Sequence, residues 1–208
     1  MLSYCTIVPH TLELLKQLCQ EPYLKDCRLV GGTALALQYG HRESVDLDFF
    51  GSFGDEKDKM YTVLQQYAEV RKIKDGSNIK IFFLGDVKVD FVNYSIYPWI
   101  DEAVEEDGLR LASPKDIAAM KINAIEGRGS KKDFIDIYFL LKHYSLEELL
   151  KFYSQKYPYY SIFRALMSLT YFVDADPKEP PTMFEEVTWE EIKAFIKQQV
   201  VAYEHSAR

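Results

Sequence analysis

Apolar residues recur at helical spacing, then in alternation, along the first half of the chain, and at helical spacing alone along the second. Leu12, Leu15 and Cys19, with Leu14 and Leu18 beside them, predict an amphipathic helix over residues 11–20, ended near Pro22. Residues 27–30 predict a short strand running into Gly31-Gly32, and residues 33–38 a helix that Gly40 ends. The alternating run at 44–50 predicts a second strand, followed by a helix over about 56–69. Three more strands are expected at 70–74, 79–84 and 87–94, the last two as a hairpin around Gly85-Asp86. From Pro114 the period changes. Ser113 suits an N-cap and Pro114 the first helical position, and helices are expected from there to Gly127, then over 132–143, 145–157, 162–172 and 189–203, with a proline-rich loop at 174–182. This predicts an α/β (α+β) chain: a core over residues 1–112 and a helical C-terminal portion over 113–208, which could also be one continuous domain.

Composition changes this picture little. A chain of 208 residues, 48% apolar, is long enough to bury a real core. No apolar run approaches the roughly 20 residues of a membrane span and the first ten residues lack a signal-like pattern, so the expected location is the cytoplasm, without a membrane. Cys5, Cys19 and Cys27 show no C-x-x-C spacing and read as reduced structural thiols. A net charge of −7 argues against broad non-specific coating of nucleic acid but leaves room for a local basic patch. No G-x-S-x-G, H-E-x-x-H or P-loop pattern occurs, so serine hydrolases, zinc peptidases and P-loop enzymes lack their required parts.

The candidate chemistry lies in three places. Asp46 and Asp48 flank Leu47 in the predicted strand, so both carboxylates leave one face about 7 Å apart, an arrangement that a divalent cation makes favourable. A bare D-x-D is also what a strand end with solvated acids carries. Gly31-Gly32-Thr33, between a strand and a helix, offers backbone N–H groups to phosphate oxygens, or is a tight turn with Thr33 as cap. Asp90 stands inside an apolar strand and needs a partner; Lys88, on the same face, supplies a plain ion pair as the other explanation. Arg42 and Ser44, just before the D-x-D, are phosphate contacts or loop polar groups. Among apolar neighbours, Lys121 must reach either solvent or an anion. Asp133 could be a helix cap, whereas Asp136 could bind Lys121 or Arg128, or hold substrate.

Taken together, Gly31-Gly32-Thr33-Ala34-Leu35-Ala36-Leu37, His41-Arg42-Glu43-Ser44, Asp46-Leu47-Asp48-Phe49-Phe50, Lys121 with Ala124 and Arg128, and Lys132-Asp133-Phe134-Ile135-Asp136 resemble the AbiEii/AbiGii-type nucleotidyltransferases. The resemblance covers about residues 29–141; Thr33 stands where the wider superfamily usually has Ser, and keeps the hydroxyl. It implies a polymerase-β-like mixed sheet with flanking helices and a two-metal enzyme acting on an NTP. Asp46, Asp48 and Asp90 would be the ligands of Mg²⁺ or Mn²⁺. Gly31, Gly32, Thr33, Arg42, Ser44, Lys121 and Asp136 would face the nucleotide. The acceptor implied is RNA, tRNA especially, in a toxin neutralised by a cognate antitoxin. The rival readings are a small-molecule nucleotidyltransferase and a non-catalytic nucleotide-binding module.

Overall fold

Alternation becomes a sheet in the first half of the chain. The computed structural model describes residues 1–54, 56 and 58–206. Its strands are β1 (Cys27–Val30), β2 (Leu47–Gly51), β3 (Val70–Asp75), β4 (Ile79–Leu84), β5 (Val87–Asn93), β6 (Val104–Glu106) and β7 (Leu109–Leu111). They form one mixed sheet in the order β3-β4-β5-β2-β1-β7-β6. β4 and β5 are the expected antiparallel hairpin, turning through Gly85 at φ +60°. β2 runs parallel to β5 and antiparallel to β1, and β1 runs parallel to β7. Leu47 pairs with Val89 and Phe49 with Phe91, all four buried, and the two phenyl rings stack at 5.6 Å. A slip of one residue would turn this set out of the core, so burial fixes the register and commits the intervening residues to the opposite face.

Residues 1–97 with 102–112 form one compact unit, which also holds helices α1 (Pro9–Gln20), α2 (Gly31–Tyr39) and α3 (Lys59–Leu64). α2 leaves β1 directly and ends at Gly40, whose φ of +71° closes the helix with an N–H bond to Ala36 O. Three expectations need correction here. The strand expected from residue 44 begins at Leu47, because Ser44 N–H donates to Thr6 O and the Thr33 hydroxyl bonds Ser44 Oγ and Asp46 O, tying residues 44–46 to α2 instead of to a ladder. The helix expected over 56–69 stops at Leu64, where Gln66 and Tyr67 N–H groups turn back to Val63 and Leu64 carbonyls and Tyr67 Oη donates to Glu21 at 2.6 Å; Lys57 lies outside the described residues. β6 and β7 were not expected at all. Three-residue strands show little alternation, and their signal was Asp107-Gly108, a turn dipeptide at φ +52° and +78°.

The second unit comprises residues 98–101 and 113–208. It is built from α4 (Pro114–Gly127), α5 (Lys131–Leu141), α6 (Leu146–Lys156), α7 (Ile162–Leu169) and α8 (Trp189–Ser206). Ser113 caps α4 by accepting from Asp116 N–H at 3.1 Å, and Ser145 with Glu148 forms a reciprocal capping box on α6. A buried ion pair explains why residues 98–101 belong here. Lys156 Nζ lies 2.7 Å from Asp116 Oδ1 and donates to Pro98 O at 2.8 Å, while Asp116 also accepts Ile100 N–H at 2.9 Å. Phe134, Phe172 and Trp189 pack as a ring cluster, for which the chain leaves α7 at Leu169 and turns Phe172 inward. No helix among the described residues is long and apolar enough to cross a membrane.

Candidate active site

Asp48 of β2 and Asp90 of β5 are direct partners in a parallel pair, so both side chains leave the sheet on the face opposite Leu47 and Val89. Asp46 stands one residue ahead of β2, where the Thr33 hydroxyl bonds its carbonyl. The glycine turn presses against this acidic face. Gly31 has φ +71°, and a Cβ there would lie 2.6 Å from Asp48 Oδ2. A Cβ on Gly32 would lie 2.1 Å from Arg42 Nη2 and 3.3 Å from Ser44 Oγ. Arg42 is buried, with Nη1 donating to Glu43 O at 3.0 Å. The structure thus brings Gly31, Gly32, Thr33, Arg42, Ser44, Asp46, Asp48 and Asp90 to one place, where β1 enters α2 and β2 lies beside β5.

Gly32→Ala is accordingly expected to lower stability by about 1–3 kcal/mol, the usual cost of forcing a group into packed surroundings, because the guanidinium it meets has no open solvent to retreat into. Thermal denaturation checks this. An unchanged Tm would mean that Arg42 yields freely.

Electrostatics qualify the three acids. Lys88 Nζ lies 2.6 Å from Asp90 Oδ2, which is the plain ion pair the sequence allows, while Asp90 Oδ1 is buried without a hydrogen-bond partner. Among the described residues, no group of three or more His, Cys, Asp or Glu side chains is gathered so as to hold a metal ion. The register puts Asp48 and Asp90 on one face, but the three acids do not close on one point. Like charges at close range repel, and Asp90 is turned to an ammonium. The donor set still fits a divalent cation in kind: two carboxylates in register, a third two residues ahead of Asp48 in the chain, and one buried carboxylate oxygen with no hydrogen bond to lose.

Lys121 and Asp136 are placed in the second unit, beside one another. Lys121 Nζ lies 2.6 Å from Asp136 Oδ2 and 2.9 Å from Asp133 Oδ1, and all three side chains are buried. Arg128 Nε and Nη2 donate to Asp133 at 3.0 and 3.2 Å, and Ser130 Oγ donates at 2.6 Å. The anion that Lys121 meets in this structure is therefore a pair of the protein's own carboxylates, and a triphosphate at Lys121 would compete with both. Asp133, which the sequence leaves open as a helix cap, is the centre of this network. Its signal was the basic run Arg128, Lys131, Lys132 around it, a pattern that is most often a solvated loop.

Burial pushes the Asp133 carboxyl up, but the Lys121 charge, then the hydrogen bond and charge of Arg128, then the Ser130 hydroxyl outweigh it and bring the pKa down from 3.8 to about 2. A depressed carboxylate stabilises the fold above its unfolded pKa and loses that contribution as pH falls through the folded one. About 2 kcal/mol should therefore be present above pH 4 and disappear toward pH 2. Urea denaturation between pH 5 and 2 checks this: Asp133→Asn should be less stable at pH 5 and show a shallower fall. Parallel slopes would assign the acid sensitivity to other carboxylates.

The comparisons with known proteins fall on this arrangement. A family model described as Nucleotidyl transferase AbiEii toxin, Type IV TA system, matches residues 13–202. The chain belongs to that family. The match runs well past residue 141, so the C-terminal helices are part of the AbiEii chain and not merely helical in common with it. A relative from Aquifex aeolicus (strain VF5), Uncharacterized protein aq_aa25, is 36% identical over 200 residues, covering 92% of this chain and 94% of that one. Among solved structures, JHP933 from Helicobacter pylori is similar at a TM-score of 0.54 and 19% identity, over 97% of this chain and 96% of that chain. The ANT(2'')-Ia structure in complex with adenylyl-2''-tobramycin is similar at a TM-score of 0.56 and 13% identity, over 73% of this chain and 98% of that chain. These likenesses show a nucleotidyltransferase fold for this AbiEii family member, with its seven-stranded mixed sheet and flanking helices.

Proposed function

We propose that this AbiEii family protein transfers a nucleotide from an NTP to an acceptor hydroxyl, and that the acceptor is RNA such as tRNA. The single observation that carries the reading is the direct register of Asp48 with Asp90, against a glycine turn that cannot carry side chains without striking Asp48 and Arg42. Asp46, Asp48 and Asp90 would hold two divalent cations, Mg²⁺ or Mn²⁺. When bound, such ions supply charge stabilisation to the triphosphate and activate the acceptor hydroxyl.

The chain's own residues do the rest. Gly31 and Gly32, at the start of α2, present backbone N–H groups and the positive end of the helix dipole to phosphate oxygens. Arg42 and Ser44 add a guanidinium and a hydroxyl beside them. Thr33 holds the loop that carries Asp46, through its bonds to Ser44 and to the Asp46 carbonyl. Asp90 Oδ1, lacking a hydrogen bond, is suited to take the acceptor's proton as the acceptor oxygen attacks the α-phosphorus. The bond from that phosphorus to the bridging oxygen breaks and pyrophosphate leaves. Lys121 and Asp136 pair with one another within the second unit, and no part at the nucleotide is assigned to them.

The family description, a toxin of a type IV toxin–antitoxin system, supports a cognate antitoxin as partner; RNA as acceptor is our own proposal, carried over from the sequence resemblance. One observation favours a second reading: ANT(2'')-Ia, of similar fold, was solved with an adenylylated drug, which supports a small-molecule acceptor. A non-catalytic module is disfavoured because it would have no use for all three acids. With Mg²⁺, each α-labelled NTP in turn and total cellular RNA, label should enter RNA. Label entering only small hydroxylated compounds would put the second reading in its place, and no label in either would remove the catalytic reading.

A further inference from the structure

Lys88 precedes Asp90 by two residues on β5, so its side chain rises from the same face of the sheet, and its ammonium takes one of the two Asp90 oxygens at 2.6 Å. The other oxygen is buried without a hydrogen-bond partner. An ammonium is thus the charge that Asp90 meets on the face where Asp48 stands in register beside it. Two features make this contact exchangeable. The Lys88 side chain is about one-third exposed, and an ion pair of that kind contributes little, so a better cation can replace it. Next to it lies a hollow of about 200 Å³ whose wall includes Lys88, Asp86 and His10, roomy enough for the displaced ammonium and bearing in Asp86 an acid outside the cation site that would receive it.

We infer that Lys88 is a positioning residue that competes with the divalent cation for Asp90: its ammonium holds the carboxylate in the metal-free protein and swings into the adjoining hollow when the cation binds. The inference rests on the reading of Asp48 and Asp90 as cation ligands, and it assigns Lys88 a task that an ordinary surface ion pair does not have. It would keep two neighbouring carboxylates from repelling before metal arrives, and set how much free cation is needed to fill the site. Even in the hollow the ammonium stays near the site, and a positive charge several ångströms from a dication opposes binding; at the effective dielectric of a protein surface its removal is worth about tenfold in affinity.

Titration with Mn²⁺, followed by the electron paramagnetic resonance signal of the free ion, tests this on wild type, Lys88→Met and Lys88→Arg. Lys88→Met should bind Mn²⁺ about tenfold more tightly, and Lys88→Arg, which keeps the charge, should stay near wild type. The metal-free Tm of Lys88→Met should fall and should be raised by Mn²⁺ more than that of wild type. Lys88→Gln serves as the second neutral variant if Lys88→Met does not fold. Mn²⁺ affinity that is unchanged or weaker in the folded neutral variant, with wild type binding, overturns the inference alone. Wild type that binds no Mn²⁺ overturns it together with the metal reading of Asp48 and Asp90.

Discussion

Asp48→Asn is expected to fold and to lose nucleotidyl transfer by about a thousandfold or more. Asparagine keeps the shape that packs under Gly31, whose missing Cβ leaves room for the side chain, but it brings no charge to the face shared with Asp90. Each factor of ten in rate is about 1.4 kcal/mol of transition-state stabilisation, and loss of a carboxylate that positions a dication is a matter of several kcal/mol. Folding should survive because Asp48 is only half-buried and removal of one of several neighbouring like charges relieves repulsion. Label transfer and a thermal melt on the same preparation check both halves. Activity within about tenfold of wild type would show that Asp48 is not part of the chemistry.

Lys121→Met should have the largest effect on stability, about 3–5 kcal/mol, and lower Tm by about 10 °C or more. Lys121 links α4 to α5 through two carboxylates with no solvent exposure, and its loss leaves Asp136 without the ammonium that lies 2.6 Å away and Asp133 with Arg128 and Ser130 alone. The methionine fills the space of the stem, so the cost is charge and not cavity. Lys121→Met combined with Asp136→Asn should recover part of the loss, since the second change removes the stranded charge. A single variant that melts with wild type would show that the Lys121 ammonium contributes nothing to holding α4 to α5.

What the sequence makes legible follows from how far each signal reaches along the chain. The alternation of Leu47 and Phe49 with Asp46 and Asp48 fixes which side of β2 is core, and the same parity in Val89, Asp90 and Phe91 fixes β5; joining them needs only the register that burial imposes. The hairpin at Gly85 and the cap at Ser113 are local as well. Long-range partners are not written in spacing. Nothing near Lys121 says that its anion is Asp136 and not a ligand, nothing near Ser44 says that Thr6 and Thr33 will hold it out of β2, and β7 joins β1 across some eighty residues. The closeness of Gly32 to Arg42 belongs with these: a glycine followed by threonine reads as a tight turn until the guanidinium behind it is seen.

On the function proposed above, nucleotidyl transfer takes place on the shared face of β2 and β5. Anomalous scattering from crystals grown with Mn²⁺ and a non-hydrolysable NTP locates the ions directly. Manganese is expected in contact with the carboxylates of both Asp48 and Asp90, with Lys88 released from Asp90 and phosphate oxygens at the Gly31-Gly32 turn. Manganese and triphosphate bound together anywhere else, with Lys88 still on Asp90, would contradict that function.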